Sequence, residues 1–536
     1  MYKITAIALF LFACIKAYAD MPVDFVIKSE YKKDTIEYND ITRYYYRERL
    51  SILFSEESSL NVSCIYLKKE KDKKYTWNLL LKDISPCMSF YLGNYFVSFG
   101  SGLLAGAKRT YDPDIYSIKI SNPETADINK TFTPCNTGNP VFAFNGIAGS
   151  SRLKLQDLNL SLNAFYSIKE RFIDENSYES NQISGTMDTV DGKIGKAYNQ
   201  NEPVEIQTYG LMLSAGSSNS ILLQTYFLNA SIHSRYKEEI VWEYNEESGE
   251  SNSISNLNGF GLYAQYKDDF LKIILDGAMT QKETLHEDNT RNKDNGFGIL
   301  YSLRFTPPFV AIEIAGKEMN SSFYSPYGSS IGEDYPESAW FFNTAIKPYS
   351  NFILNAKASS EKKKAPSSTD NTMPVIKKET ISLAYFFGKL EKLEIALKRT
   401  EKTNDETVKN QQVQASTKIA ITDAIKSLLS GTTACRQNNP SKILSAGFEL
   451  LVAGYMKFYI HYIVASISDN YTSYIVVSPI RDSSTKGFFI KEDSNIVVIK
   501  SDIEIKNIFF SCRYLYQFTR SHSLHSRLEF IASGLF

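Results

Sequence analysis

Ser526-Arg-Leu-Glu-Phe-Ile-Ala-Ser-Gly-Leu-Phe536 is the stretch whose reading decides the fold. In an extended chain alternate side chains fall on opposite faces, so Leu528, Phe530, Ala532, Gly534 and Phe536 share one side. Arg527, Glu529 and Ser533 are among those on the other. Most chains fray into polar residues at their ends, but this one keeps a one-sided strand up to a final aromatic ring. Phe510, Cys512, Tyr514, Tyr516 and Phe518 repeat the pattern just upstream. An amphipathic strand can also end a soluble β protein, so the rest of the chain has to arbitrate.

The stretch resembles the terminal signal by which outer-membrane β-barrels are recognised for insertion. That resemblance implies a closing strand whose apolar side meets outer-membrane lipid, and the barrel-assembly machinery as a partner. The other end of the chain agrees. Met1-Tyr-Lys3 is a short positive start, Ile4 to Ala13 an apolar core and Ala17-Tyr-Ala19 a small-x-small cleavage site, which describes a secretory signal peptide over residues 1–19. Residues 20–536 are then the exported chain, in the cell outer membrane. A competing reading takes Leu11-Phe-Ala-Cys14 as a lipobox, which would leave Cys14 lipidated.

Composition favours one large barrel over several soluble domains. There are 35 Tyr and 33 Phe against 3 Trp and 16 Pro, and mean hydropathy is -0.26. Aromatic girdles and a polar interior produce this combination. A formal net charge of -1 supplies no basic excess for neutralising phosphates, so nucleic acid is not an expected partner. No exported stretch of 18 residues is apolar and charge-free, which leaves a spanning helix little support. The nearest rival, Phe448 to Ile467, carries Glu449, Lys457 and His461 and alternates, so it reads as a hairpin.

Hairpins recur in one format: an alternating segment, a tight turn, a second segment, then a longer polar connection. Ser338 to Lys347, the turn Pro348-Tyr-Ser-Asn351 and Phe352 to Ala358 form the clearest case. Its polar side carries Asn343, Lys347, Asn355 and Lys357. Leu158, Leu160 and Leu162 likewise oppose Asn159, Ser161 and Asn163. These seven polar residues are the candidate lumen-facing positions. Gly259-Phe-Gly-Leu-Tyr263 and Gly296-Phe-Gly-Ile-Leu-Tyr301 form a weak repeat, and further hairpins are predicted at Tyr209 to Arg235, Ile381 to Arg399 and Ile508 to Phe530. Five polar stretches read as long outside loops: Ile173 to Glu205, Lys237 to Asn256, Lys317 to Pro336, Ser359 to Glu379 and Arg399 to Lys418. The expected fold is all-β, a single antiparallel up-and-down transmembrane β-barrel of roughly 12 to 18 strands with long extracellular loops.

Tyr45 to Leu53, Tyr91 to Leu104, Phe142 to Gly149 and Leu158 to Tyr166 resemble, in order, the barrel domain of helix-hairpin-helix-associated outer-membrane proteins. The most specific piece is Gly93-Asn-Tyr95 through Phe99-Gly-Ser-Gly-Leu103, where that family reads Gly-Asp-Tyr and Phe-Gly-Gln-Gly-Leu; Asn94 and Ser101 depart from it. The resemblance covers about residues 40–235. The family's DNA-contacting helix-hairpin-helix unit has no room between leader and first barrel segment, so DNA binding is not carried over. Read from the residues alone, Gly93, Gly100, Gly102 and Gly106 in an apolar strand predict a bulge, a tight bend or a loop packed against the wall. As a phosphate cradle Gly100-Ser-Gly102 lacks the following Lys-Ser/Thr.

Catalysis needs converging groups, and only five histidines are present. His522 and His525, three apart, point to opposite faces of a strand. Cys64, Cys87, Cys135, Cys435 and Cys512 show no Cys-x-x-Cys spacing. No catalytic residue, metal site or cofactor is expected, and the chain is not read as an enzyme. A pore or channel for solutes is the leading function. A surface structural or adhesive barrel working through its loops is the alternative, and an outer-membrane hydrolase the weakest.

Overall fold

The computed structural model describes residues 24–535 except 37–40, 54–58, 68–71, 86, 106–130, 135–142, 173–202, 218–219, 235–242, 246–249, 286–290, 321–322, 324–335, 364–374, 389–390, 404–406, 423, 437–438, 453–454, 468–472, 476–487, 491, 506 and 520–522. Among the described residues every element is a strand, and no helix is long and apolar enough to cross a membrane, which says nothing of strands. The strands form one antiparallel up-and-down sheet of 24, with two three-residue ladders at Phe132–Pro134 and Glu243–Asn245. The 24 are 9 to 18 residues long. The first, Asp24–Ile36, pairs with Ile41–Leu53 on one side. On the other it pairs with the last, Ser523–Leu535, from Val26 opposite Leu535 to Ile36 opposite His525. The ladder therefore returns to its start and leaves no edge strand unpaired.

The predicted range of roughly 12 to 18 strands is corrected to 24. The surplus lies in polar segments read as loops. Most of Arg399 to Lys418 belongs to Lys392–Thr403 and Thr407–Ala420. Both faces of these strands are polar toward one rim, so alternation leaves no trace there; the partner across the ladder, such as Asn410 opposite Thr400, holds the strand. Parts of Lys237 to Asn256, Lys317 to Pro336 and Ser359 to Glu379 are strand for the same reason. The hairpin read over Phe448 to Ile467 forms from Asn439–Val452 and Met456–Ser466, with Phe448 opposite Ile460.

Alternation sorts the wall into two faces. Outside, Leu211, Leu213, Phe260, Leu262, Leu393 and Ile395 are exposed. Alternate connections share a rim, and at the one that carries 268–270, 306–309, 350–351, 387–391 and 453–455, the short-turn rim, exposed aromatics gather: Phe270, Phe309, Tyr349, Phe387 and Tyr455. At the turn after Glu250–Lys267, the N–H groups of Leu271 and Phe270 donate to Asp268 Oδ1 at 2.7 and 2.8 Å and hold its carboxyl below the usual carboxylate range. In the last strand Leu528 and Phe530 are exposed on the outer face, Ala532 is half-buried and Gly534 buried. Phe536, Gly106 and the leader over residues 1–19 with Cys14 lie outside the described residues.

Candidate functional site: the inner face of the ring

The inner face divides into two sectors, and a segment of the chain itself makes the difference. Strand Met88–Val97 carries Tyr91, Tyr95 and Val97 inward. Beyond it the chain leaves the wall: Phe99 N–H donates to Ala105 O at 2.8 Å and Gly102 N–H to Phe99 O at 2.8 Å, closing a compact turn. Gly100 (φ 54°) and Gly102 (φ 94°) take the left-handed backbone that this turn requires. The segment folds back over the inner wall. Phe99, Leu103, Leu104 and Ala105 are all buried, in one cluster with Phe165, Met212, Tyr226, Leu257 and Tyr263. Burying Phe99 and Leu103 stabilises the arrangement by about 1.5–3 kcal/mol each.

One polar contact fixes its position. Asp276, on Leu271–Leu285, is 1% exposed and accepts from the Ser101 N–H at 2.7 Å and from the Tyr226 hydroxyl at 2.5 Å. A carboxylate so deeply buried needs donors to offset its lost hydration, and the infolded turn supplies one of them. A Cβ added at Gly100 would sit 2.8 Å from Asp276 Oδ2, so the glycine also lets the backbone approach the carboxylate. Gly259 of the repeat makes room in the same way, since a Cβ there would meet Leu104 Cδ1 at 2.7 Å; it and Gly296 both stand opposite Thr280. Tyr95 is anchored in the wall by its hydroxyl, which donates to Ile147 O and Tyr166 O, each at 3.0 Å.

From Phe352–Lys363 round to Asn439–Val452 no such cover is described, and the inner face changes character. Thr407–Ala420 turns Asn410, Gln412, Gln414 and Ser416 inward, half-exposed where the other sector is buried. Beyond it, Ile443, Ile463, Ile496 and Val498 make a second apolar patch; Ile490, from the small strand pair Ser473–Ile475 and Phe488–Ile490, packs on it and is fully buried.

The residues singled out in the sequence fall as follows. Gly93 has φ 87° and lies against Trp77, whose backbone oxygen a Cβ would strike. Asn163 is buried, Asn159 and Ser161 half-buried, and Asn163 Nδ2 donates to Ser161 Oγ at 3.3 Å. Asn343 is buried opposite Lys357, and Asn355 stands opposite Ala345 and donates to Ser382 Oγ at 3.4 Å. Lys347 is half-buried on the same side of its strand as Asn343. The structure thus separates the Asn159 group, in the covered sector, from the Lys357 group at the border of the open one. Sequence reasoning missed Asp276 and Tyr226, although an acid at inner parity in Ile-Ile-Leu-Asp-Gly-Ala was a signal. It also missed the buried pair in which Arg513 Nε donates to Glu529 Oε2 at 2.7 Å. Among the described residues Cys87, Cys435 and Cys512 are free thiols, and no group of three His, Cys, Asp or Glu could hold a metal.

No family model and no curated protein matches the chain. Similar solved structures include the siderophore receptor PirA of Pseudomonas aeruginosa, at TM-score 0.47 and 6% identity, over 96% of this chain and 80% of that one. The translocation pore of the P pilus usher PapC matches at TM-score 0.43 and 8% identity, over 96% and 99%. The FrpB iron transporter of Neisseria meningitidis matches at 0.41 and 6%, over 96% and 81%.

Proposed function

We propose that this chain is an outer-membrane β-barrel that passes solutes through its open polar sector, with the covered sector sealed by the segment Ser98 to Ala105. The observation that carries this is the contrast across the wall: a ladder whose ends pair, with exposed Leu, Ile and Phe outside and half-exposed Asn, Gln, Ser and Lys inside. A sheet in hydrocarbon must satisfy every backbone group by closing on itself, and a polar interior behind an apolar belt is what a water-filled path needs. In this reading the leader over residues 1–19 directs export, the barrel-assembly machinery inserts the chain, and Leu528 and Phe530 meet lipid. Of the residues that carry the resemblance over 40–235, Phe99, Gly100, Gly102 and Leu103 turn and bury the infolded segment, while Gly93 and Tyr95 belong to the wall beside it.

Heat-modifiable migration of the protein from outer-membrane fractions tests the barrel, and stepwise conductance in a planar bilayer tests passage. A soluble periplasmic protein would overturn the reading. The apolar cluster around Phe99 favours a second possibility, a sealed barrel acting through its surface connections. Absence of conductance from folded protein would select it.

A further inference from the structure

We infer that the open sector is an anion path, lined by lysines that take small solutes carrying phosphate or carboxylate groups. The inference rests on the solute-passage reading and gives it a substrate class. One row of opposed residues runs Asn343, Lys357, Thr380, Lys398, Gln412, Ala434 and Ser441 across seven neighbouring strands. Directly opposed residues of a ladder point to one face. Asn343, Ala434 and Ser441 in that row are buried inward, so Lys357 and Lys398 face inward with them. Even spacing along the same strands puts Lys378, Lys392, Lys402, Lys418 and Lys426 on that face too.

The carboxylates among them are too few. On these strands, among residues whose side chains are described, only Glu361, Glu394 and Glu449 share the inner face. Lys378 reaches Glu361 at 3.6 Å and Lys392 reaches Glu394 at 2.7 Å. Lys418 and Lys426 both turn to Glu449, each at 3.7 Å. Lys357, Lys398 and Lys402 have no carboxylate partner among the described residues, and Lys398 Nζ donates only to Gln414 Oε1, at 3.2 Å. The surplus is ordered along the axis. Lys392, Lys418 and Lys426 stand toward the short-turn rim, Lys357 and Lys398 midway, and Lys378 and Lys402 toward the far rim. Lys392 to Lys402 spans roughly 34 Å of extended strand, longer than several screening lengths at physiological salt, so an entering anion meets cations in succession and not a single trap. Rings or strips of Lys and Arg select anions in this way.

The test is the zero-current potential of the full-length protein in a planar bilayer across a potassium chloride gradient. The expected result is chloride favoured over potassium by at least roughly threefold. The triple variant Lys357→Glu, Lys398→Glu, Lys402→Glu should bring that ratio below one while keeping heat-modifiable migration. If the triple variant does not fold, Lys398→Gln alone should lower the ratio measurably. Inorganic phosphate added to one side should reduce the chloride current. A conducting protein that prefers potassium or neither ion, or whose ratio ignores these substitutions, overturns the anion assignment and leaves solute passage standing. Folded protein with no conductance overturns passage and the anion path together.

Discussion

The wall around Tyr226 and the wall around Gln412 share a backbone and, toward the short-turn rim, an apolar outer surface, and differ in what faces inward. Both are antiparallel strands with exposed Leu and Ile outside. Inside, the first carries Met212, Tyr226, Leu257 and Tyr263, the second Asn410, Gln412, Gln414 and Ser416. The apolar face is costly against water, and the chain covers it with its own Phe99, Leu103 and Leu104. The polar face needs no cover. The difference teaches that an infolded segment is placed by the inner wall it lands on, and Ile490 on its own apolar patch repeats the lesson.

The comparison breaks most sharply at the cover. Phe99→Ala with Leu103→Ala should lower stability by about 5 kcal/mol, read as a shifted urea midpoint in detergent, and should raise single-channel conductance. Unchanged conductance would mean the segment does not obstruct the interior. Asp276→Ala removes the acceptor of both Ser101 N–H and Tyr226 hydroxyl and should cost about 2 kcal/mol, with faster protease cleavage within residues 98–105. Gly100→Ala forces a Cβ into the left-handed region and onto Asp276, at about 1–2 kcal/mol by the same unfolding measurement. In the open sector Lys398→Gln should stay within about 0.5 kcal/mol of the parent protein, since the side chain is exposed and its hydrogen bond to Gln414 is one that a glutamine amide can also offer. The smallest effect is at Asp268. Its carboxyl is held low by the N–H groups of Leu271 and Phe270, so its contribution is present above the ordinary carboxylate range and fades as pH falls through the lowered value. Asp268→Asn should lower the urea midpoint slightly at neutral pH and flatten that acid limb, so that the variant and the parent protein converge in acid.

Strands with one apolar side were legible from the residues. Phe448 to Ile467 read as a hairpin because Phe448, Ile460 and Tyr462 alternate with polar neighbours, and it folds as one. Thr407–Ala420 was not legible, because Gln411, Gln412, Val413 and Gln414 give alternation almost nothing to sort. At the inner face, Gly100 and Gly102 announced a bend, but not its destination. Ser101 and Asp276 are 175 residues apart, and no local pattern ties them.

Period-two patterning is a local property, set by one residue's side-chain direction against the next, and it suffices to make this chain a succession of strands with an apolar side. The terminal run through Leu528 and Phe530 belongs to that class. Which strands pair, that Asp24–Ile36 meets Ser523–Leu535, and that Phe99 covers one sector while the lysines of another stay open are decided by contacts between residues hundreds of positions apart. Such contacts form only when the whole ladder brings the distant strands side by side, which is why the tertiary structure alone could supply them.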